Sequence, residues 1–341
     1  WEKNMKPSPI DPHLNNNDEE ELLFTSLRAS NWDEFLGQDN IKKSLKIAID
    51  AARQRQEAVD HILFYGPAGL GKTTLAQLIA KEMGVNFHIT SGTALSKTSD
   101  LAAILTNLED GDVLFIDEIH RLPKAVEETL YPAMEDFALD IVIGKGPSAR
   151  TVRLDLAKFT LVGATTRFGL LTGPFRDRFG LIHRLEFYQP EELEKIIEYA
   201  SKKLNCQIDR PARLSLAKRA RGTPRIALKL LKRVRDFAQV LEKDQIDEAL
   251  VNRALEIFEI DQLGLDENDR RLLMAMINKH DGKAVGLKTL SASISEDAGT
   301  VEEVLEPYLL QIGFIRRTPK GRIITNKAYR YFGITPPEPN K

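Results

Sequence analysis

The stretch Gly66-Pro67-Ala68-Gly69-Leu70-Gly71-Lys72-Thr73 constrains this chain more than any other. It follows the apolar run His61-Ile62-Leu63-Phe64-Tyr65 and opens an amphipathic stretch over residues 74–83. Glycines here let backbone N–H groups converge on an anion with no Cβ in the way, and a helix starting there aims its positive end at the same point. The pattern G-x-x-x-x-G-K-[ST] between strand and helix predicts a phosphate-binding loop. Lys72 would reach the β and γ phosphates, and the Thr73 hydroxyl would hold Mg²⁺. The bland alternative, a glycine-rich turn with an incidental Lys and Thr, is disfavoured by the fit of both flanks.

The following segments alternate between strand and helix patterns. Residues 86–90 read as a strand, 101–108 as a helix, and Asp112-Val113-Leu114-Phe115-Ile116-Asp117-Glu118 as a buried strand ending in two carboxylates. Residues 159–166 are a further buried strand, ending in Thr165 and Thr166. This alternation predicts an α/β domain with a parallel sheet and helices on both faces. Ligands in such sheets lie at the carboxyl ends of strands, where Lys72, Asp117 and Glu118 would all emerge. Asp117 would support the Mg²⁺ shell, and Glu118 would orient or deprotonate the attacking water. Arg178, in Phe175-Arg176-Asp177-Arg178-Phe179, reads as an arginine held at a protein edge. A compact aromatic turn over residues 31–38, beside helical spacing of Ile41, Leu45, Ala48 and Ile49, could wall an adenine. Residues 140–147 and 151–155 read as an inserted hairpin whose apolar residues either pack on the domain or meet a partner.

At 341 residues the chain needs more than one domain. Residues 1–24 read as a flexible acidic leader, with Trp1 to Asn4 preceding Met5 as an appended segment. The ATPase domain would span 25–189, with the hairpin at about 140–155. From 190 to 261 the pattern is helical without strands, a small all-α lid. Within it, in Gly222-Thr223-Pro224-Arg225, Thr223 can cap a helix and Pro224 suits its first position. Arg225 then sits in the first turn, where the dipole disfavours a cation, so either a bound polyanion or plain solvation must compensate. Residues 262–335 read as three short helices and a hairpin, a winged helix, with a tail over 336–341. The third helix carries Glu302, Glu303 and Glu306 and is poorly suited to phosphates. The wing instead holds Arg316, Arg317, Lys320 and Arg322, which favours contact with duplex backbone over a solvated or protein-binding wing.

A net charge of -2 neither supports nor excludes nucleic acid as a ligand. No apolar run reaches the roughly 18 to 20 residues of a membrane span. The single Cys206 cannot form an internal disulfide, and the scattered histidines suggest no zinc site.

In order, the phosphate loop, Asp117-Glu118, Thr166, Arg178 and Arg225 resemble Walker A, Walker B, sensor 1, arginine finger and sensor 2 of AAA+ ATPases. More narrowly, residues 114–122, 131–136, 163–167, 221–227 and 333–337 resemble the RuvB family of Holliday-junction branch-migration motors. The resemblance spans about residues 24–337. It implies a homo-hexameric ring that hydrolyses ATP with Mg²⁺ and moves duplex and four-way-junction DNA in the bacterial cytoplasm. RuvA would be the partner, with RuvC joining in a resolving complex, and no membrane would be involved. By matching motifs, Leu27 and Arg28 would flank the nucleotide, with Gly69, Gly71, Lys72, Thr73 and Thr74 on the phosphates. Glu135, Asp136, Phe137, Tyr188 and Arg225 would complete the site, and Arg178 would reach a neighbouring subunit's γ phosphate. The hairpin from Ile141 to Leu154 matches the RuvA-binding element, and Arg317 and Arg322 match DNA contacts. Two departures stand out: Ala68 replaces the usual Pro, and Ala29-Ser30 replace Pro-Lys. A clamp loader or replication initiator shares the Walker motifs, and a nucleotide-gated DNA-binding scaffold without turnover is the non-enzymatic alternative.

Overall fold

A computed structural model describes residues 26–143 and 150–336, the side chains of 141–143 and 151 excepted. The leader, the hairpin tip and the last five residues of the tail lie outside it. The first domain runs α1 (Asp39–Arg55), β1 (Ile62–Tyr65), α2 (Lys72–Met83), β2 (Phe87–Ser91), α3 (Thr98–Leu105), β3 (Val113–Asp117), α4 (Lys124–Glu135), β4 (Ala138–Ile143), β5 (Arg150–Asp155), β6 (Thr160–Thr165), α5 (Gly173–Arg176) and β7 (Leu181–Arg184). Five of these strands form a parallel sheet in the order β2-β3-β6-β1-β7. The central strands are buried on both faces, which is why they read as continuous apolar runs. Side chains alternate between two cores: Phe64, Phe115 and Val162 join the α1 and α2 face, while Leu63, Leu114 and Leu161 join the α3 and α4 face. β4 and β5 pair antiparallel as a separate hairpin, from Ala138 opposite Asp155 to Ile143 opposite Arg150.

The lid comprises α6 (Pro190–Lys203), α7 (Arg210–Arg219), α8 (Pro224–Val240) and α9 (Glu248–Ile257). Its core is continuous with that of the α1 and α2 face. The region is not wholly helical, as its periodicity suggested: β8 (Gln207–Ile208) and β9 (Gln245–Ile246) pair in parallel. Each belongs to a Gln-Ile-Asp triplet whose Ile is buried and whose Asp caps the next helix, accepting from Ala212 N or Leu250 N. Two residues are too few to register as a period. Thr223 occupies the N-cap position of α8, but its hydroxyl turns back to the Ala220 carbonyl at 3.3 Å and makes no cap hydrogen bond.

The third domain contains α10 (Glu267–Asn278), α11 (Leu287–Ile294), an interrupted third helix, the hairpin β10 (Ile315–Thr318) and β11 (Gly321–Ile324), and a last helix at Asn326–Tyr331. The third helix runs Ala298–Thr300, widens to π-helical turns over Val301–Leu305, and resumes at Glu306–Gln311. Pro307 explains the widening, because it has no N–H for the Glu303 carbonyl one turn back. Arg221 fastens this domain to the lid. Its buried guanidinium lies 2.9 Å from Asp266 and 2.6 Å from Asp269, and its Nε donates to the Gly264 carbonyl. Burial, against the pull of Arg221, lifts the Asp269 carboxyl to about 6.

Candidate active site

Three adjacent strands assemble the chemistry. The carboxyl ends of β3, β6 and β1 deliver Asp117-Glu118, Thr165-Thr166 and the 66–73 loop to one edge of the sheet. With strands about 4.8 Å apart, the carboxylates rise about 10 Å from the loop's own strand. Gly69 (φ 79°) and Gly71 (φ 99°) hold the left-handed backbone that the loop needs. A Cβ on Gly69 would come within 2.9 Å of Arg225, and one on Gly71 within 3.0 Å of Phe35.

Lys72 is buried, and its Nζ donates to the Gly66 and Pro67 carbonyls at 2.8 Å each. Burial depresses its pKa to about 8, with Asp117 and Glu118 pulling the other way. A buried cation answered chiefly by carbonyl dipoles marks an anion cradle. Glu118 has φ 46°, a left-handed conformation costly for a residue with a Cβ and common where function demands it. Its carboxylate accepts from Thr166 Oγ1 at 3.2 Å and lies 3.2 Å from His120 Nδ1. Burial, reinforced by Asp117, raises its pKa and so its basicity. The Asp117 carboxylate accepts from the Glu118 amide at 2.9 Å, which fixes its direction.

The cleft has a volume of about 590 Å³. Leu27, Arg28, Ala29, Phe35 and Leu36 form one wall, the loop through Thr73 and Thr74 its floor, and the lid its other side. The Arg225 backbone N–H donates to the Gly69 carbonyl at 3.3 Å, so the lid rests directly on the loop. Tyr188 donates to the Leu70 carbonyl, and burial pushes its hydroxyl pKa up. The lid also contributes Ile196 and Tyr199 from α6 and Leu228 and Lys229 from α8. Sequence reading missed these four, although Leu228 and Lys229 stand one helical turn from Arg225. The Thr73 hydroxyl and Asp117 carboxylate are hard oxygen donors of the kind Mg²⁺ accepts alongside phosphate oxygens.

Glu135, Asp136 and Phe137 do not line this cleft. Phe137 packs on His61 and Phe159, which precede β1 and β6 at the opposite end of the sheet. Asp136 pairs with Arg153 of the hairpin at 2.6 Å. Glu135 lies 3.2 Å from Arg178, whose guanidinium also covers the Tyr131 ring at 4.1 Å and donates to the Pro174 carbonyl. Arg178 precedes β7, which runs parallel to β1, so it too lies at the amino end of the sheet. The helix α4 starts beyond the carboxyl end of β3 and returns to the amino end of the sheet, so it carries these residues away from their own phosphate loop, which emerges from the carboxyl end.

The wing is a second cationic site with a different internal arrangement. Arg317 and Arg322 are cross-strand partners and both converge on Glu306. That carboxylate is 1% exposed and lies 2.6 Å from Arg317 and 2.9 Å from Arg322. Arg322 is only 15% exposed, against 56% for Arg317. Arg316 and Lys320 are exposed, and among the described residues no ion pair engages either.

Family descriptions match nearly all of this architecture. The Holliday junction DNA helicase RuvB P-loop domain matches residues 27–185, the RuvB AAA lid domain 188–261 and the RuvB C-terminal winged helix domain 262–333. The chain belongs to the RuvB family. Among solved structures it is similar to the Thermotoga maritima RuvB Holliday junction branch migration motor, at 51% identity over 92% of this chain and 100% of that one, with a TM-score of 0.85. Two substituted forms of the same Thermotoga protein match at 52% identity, covering 91% of this chain and 99% of theirs, with TM-scores of 0.85 and 0.86. As a RuvB-family subunit the chain is an ATP hydrolase and a DNA branch-migration motor. Among the described residues no helix is long and apolar enough to cross a membrane.

Proposed function

We propose that this chain is one subunit of a homo-hexameric ring on duplex DNA, hydrolysing ATP in clefts completed by the neighbouring subunit. The observation that carries the reading is the position of Arg178, at the opposite end of the sheet from Lys72. Stacked on Tyr131 and paired with Glu135, it is held at that edge, from where it would reach a neighbouring subunit. With it, Glu135, Asp136 and Phe137 would face the neighbour's nucleotide.

Leu27, Arg28 and Phe35 would hold the base side, while the Gly69–Thr74 backbone and Lys72 would bind the phosphates. Thr73, with Asp117 through the outer shell, would hold Mg²⁺, which supplies charge neutralisation on the phosphate oxygens when bound. Glu118 and Thr166 would position water opposite the leaving group. As the water oxygen bonds to the γ phosphorus and the β–γ bridge breaks, Glu118 would take the water proton and ADP would leave with inorganic phosphate. Arg178 would stabilise the charge spread over the transferring group, an effect worth about 10³ to 10⁵ in rate for such arginines. Arg225 would sense the γ phosphate from the lid. Its loss would free the lid, and with it the winged helix that Arg221 fastens there. RuvA would dock on the hairpin about Ile141 to Leu154 and RuvC would join the assembly, in the bacterial cytoplasm.

The test is dissociation of a synthetic four-way junction, scored with and without ATP and RuvA, against turnover on linear duplex. Dissociation that requires both is the expected result. ATP turnover without junction processing would overturn the motor reading while leaving the hydrolytic chemistry intact.

A further inference from the structure

Among the described residues, the winged-helix domain meets the ATPase domain through an ionic junction formed by side chains outside the hydrolytic set. Arg167, the residue after Thr166, places Nη2 2.7 Å from Glu302 and 2.8 Å from Glu303. These acids lie in the π-helical turns, where the widened backbone carries both toward the same guanidinium. Each of the three side chains retains about a third of its exposure. The Nε of Arg167 is buried with no hydrogen-bond partner among the described residues.

This junction is continuous with both functional sites. Toward the cleft, the Arg167 backbone N–H donates to Thr165 Oγ1 at 2.9 Å. The same hydroxyl lies 2.9 Å from His120 Nδ1, which faces Glu118. Toward the wing, Glu302 also lies 3.6 Å from Arg322, which is bound to Glu306. Glu302, Glu303 and Glu306 therefore face Arg167, Arg317 and Arg322, a balanced set in which removing any arginine crowds the acids. Thr166, whose hydroxyl donates to Glu118, is the chain neighbour of Arg167, so a turn of Glu118 toward water would act next to the backbone that carries Arg167. A phosphate that drew Arg322 away from Glu306 would leave Glu302 to Arg167 alone.

We propose that Arg167 is a positioning residue through which the hydrolytic site and the wing sense each other, by way of its bridge to Glu302 and Glu303. This rests on the reading of the wing as the DNA-contacting element, but the bridge can be read without DNA. Spin labels at Asn107→Cys and Lys283→Cys, both exposed positions in the two domains, report the separation across it, in a Cys206→Ser background. In the otherwise unaltered full chain, a non-hydrolysable ATP analogue with Mg²⁺ should shift the label distance by several ångström. Glu302→Gln/Glu303→Gln should abolish that shift while retaining ATP turnover without DNA. Its stimulation by linear duplex should fall to about onefold. Adding Arg167→Ala should produce no further loss in either readout, since all three changes cut one link. An undiminished distance shift in the double glutamine variant, or additive losses with Arg167→Ala, would overturn the bridge. An unaltered chain that shows the shift but no duplex stimulation would count against the DNA reading, and the distance result would still decide the bridge.

Discussion

The phosphate-loop cleft and the wing are both cationic, yet they hold their charges in opposite ways. In the cleft, Lys72 is buried against two carbonyls and its protonated form is less favoured than in water. In the wing, Arg317 and Arg322 already have an anion in the buried Glu306 carboxylate. The cleft presents a buried cation held chiefly by carbonyl dipoles and gains from receiving an anion. Arg317 and Arg322 are internally paired, so on the proposed reading a DNA phosphate would compete with Glu306 for the same guanidinium groups. On the proposed reading, that difference suits a cleft that would hold one nucleotide and a wing that would release and rebind duplex.

The largest expected effect tests the cleft. Lys72→Ala should weaken nucleotide binding by about 10²-fold or more, the cost of removing one partner of a desolvated charge pair, as read by fluorescent-nucleotide titration. The nucleotide-free variant should melt at the same temperature as the parent or higher, since a buried cation is removed; a lower melting temperature would break the comparison.

A second test uses pH. Free Lys72 titrates at about 8, whereas phosphates would keep it charged to higher pH. Binding therefore takes up a proton above that pH, and affinity should fall as pH rises, approaching tenfold per unit while free Lys72 is neutral and the bound form charged. Calorimetry in buffers of different ionisation enthalpy would count the proton, and none taken up near pH 9 would refute the depressed value.

The wing should respond in the opposite sense. Glu306→Gln should lower the melting temperature by a few degrees, a loss of about 1 to 3 kcal/mol once the solvent around Arg317 is allowed for. It should also raise low-salt duplex affinity about threefold to tenfold and steepen the salt dependence by about one unit, because two arginines lose their internal competitor. Weaker duplex binding would mean that Glu306 orients the arginines rather than occupying them. The smallest effect belongs to Arg316→Ala, which should reduce the salt slope by about one unit with no change in melting temperature.

Much of the first domain was legible because its signals are local. A glycine-rich loop needs particular backbone angles, and strands buried on both faces need continuous apolar runs, so Lys72, Asp117 and Glu118 could be placed from their neighbours in the chain. The lid's share of the cleft was less accessible. Ile196 and Tyr199 look like ordinary helix positions until α6 is folded over the loop. The same limit applies to Glu135, Asp136 and Phe137, whose motif resemblance carries no information about which end of the sheet they occupy. The two-residue strands of the lid were invisible to periodicity, although the repeated Gln-Ile-Asp triplet was a usable sign.

The winged helix shows the limit of charge counting. In sequence, the acids on its third helix look unfit for DNA and the basic wing looks fit. Folded, the acids of the former neutralise two arginines of the latter. A phosphate loop, a parallel sheet with its carboxylates at a strand end, a lid and a winged helix are all legible in the chain, because each rests on short-range backbone and burial requirements. Which charges are already paired, that Arg178 lies at the far end of the sheet from its own cleft, and that Arg167 reaches the winged helix follow from the folded arrangement alone. Those depend on residues brought together from distant parts of the chain, and their energies are set by burial and a few ångström of separation.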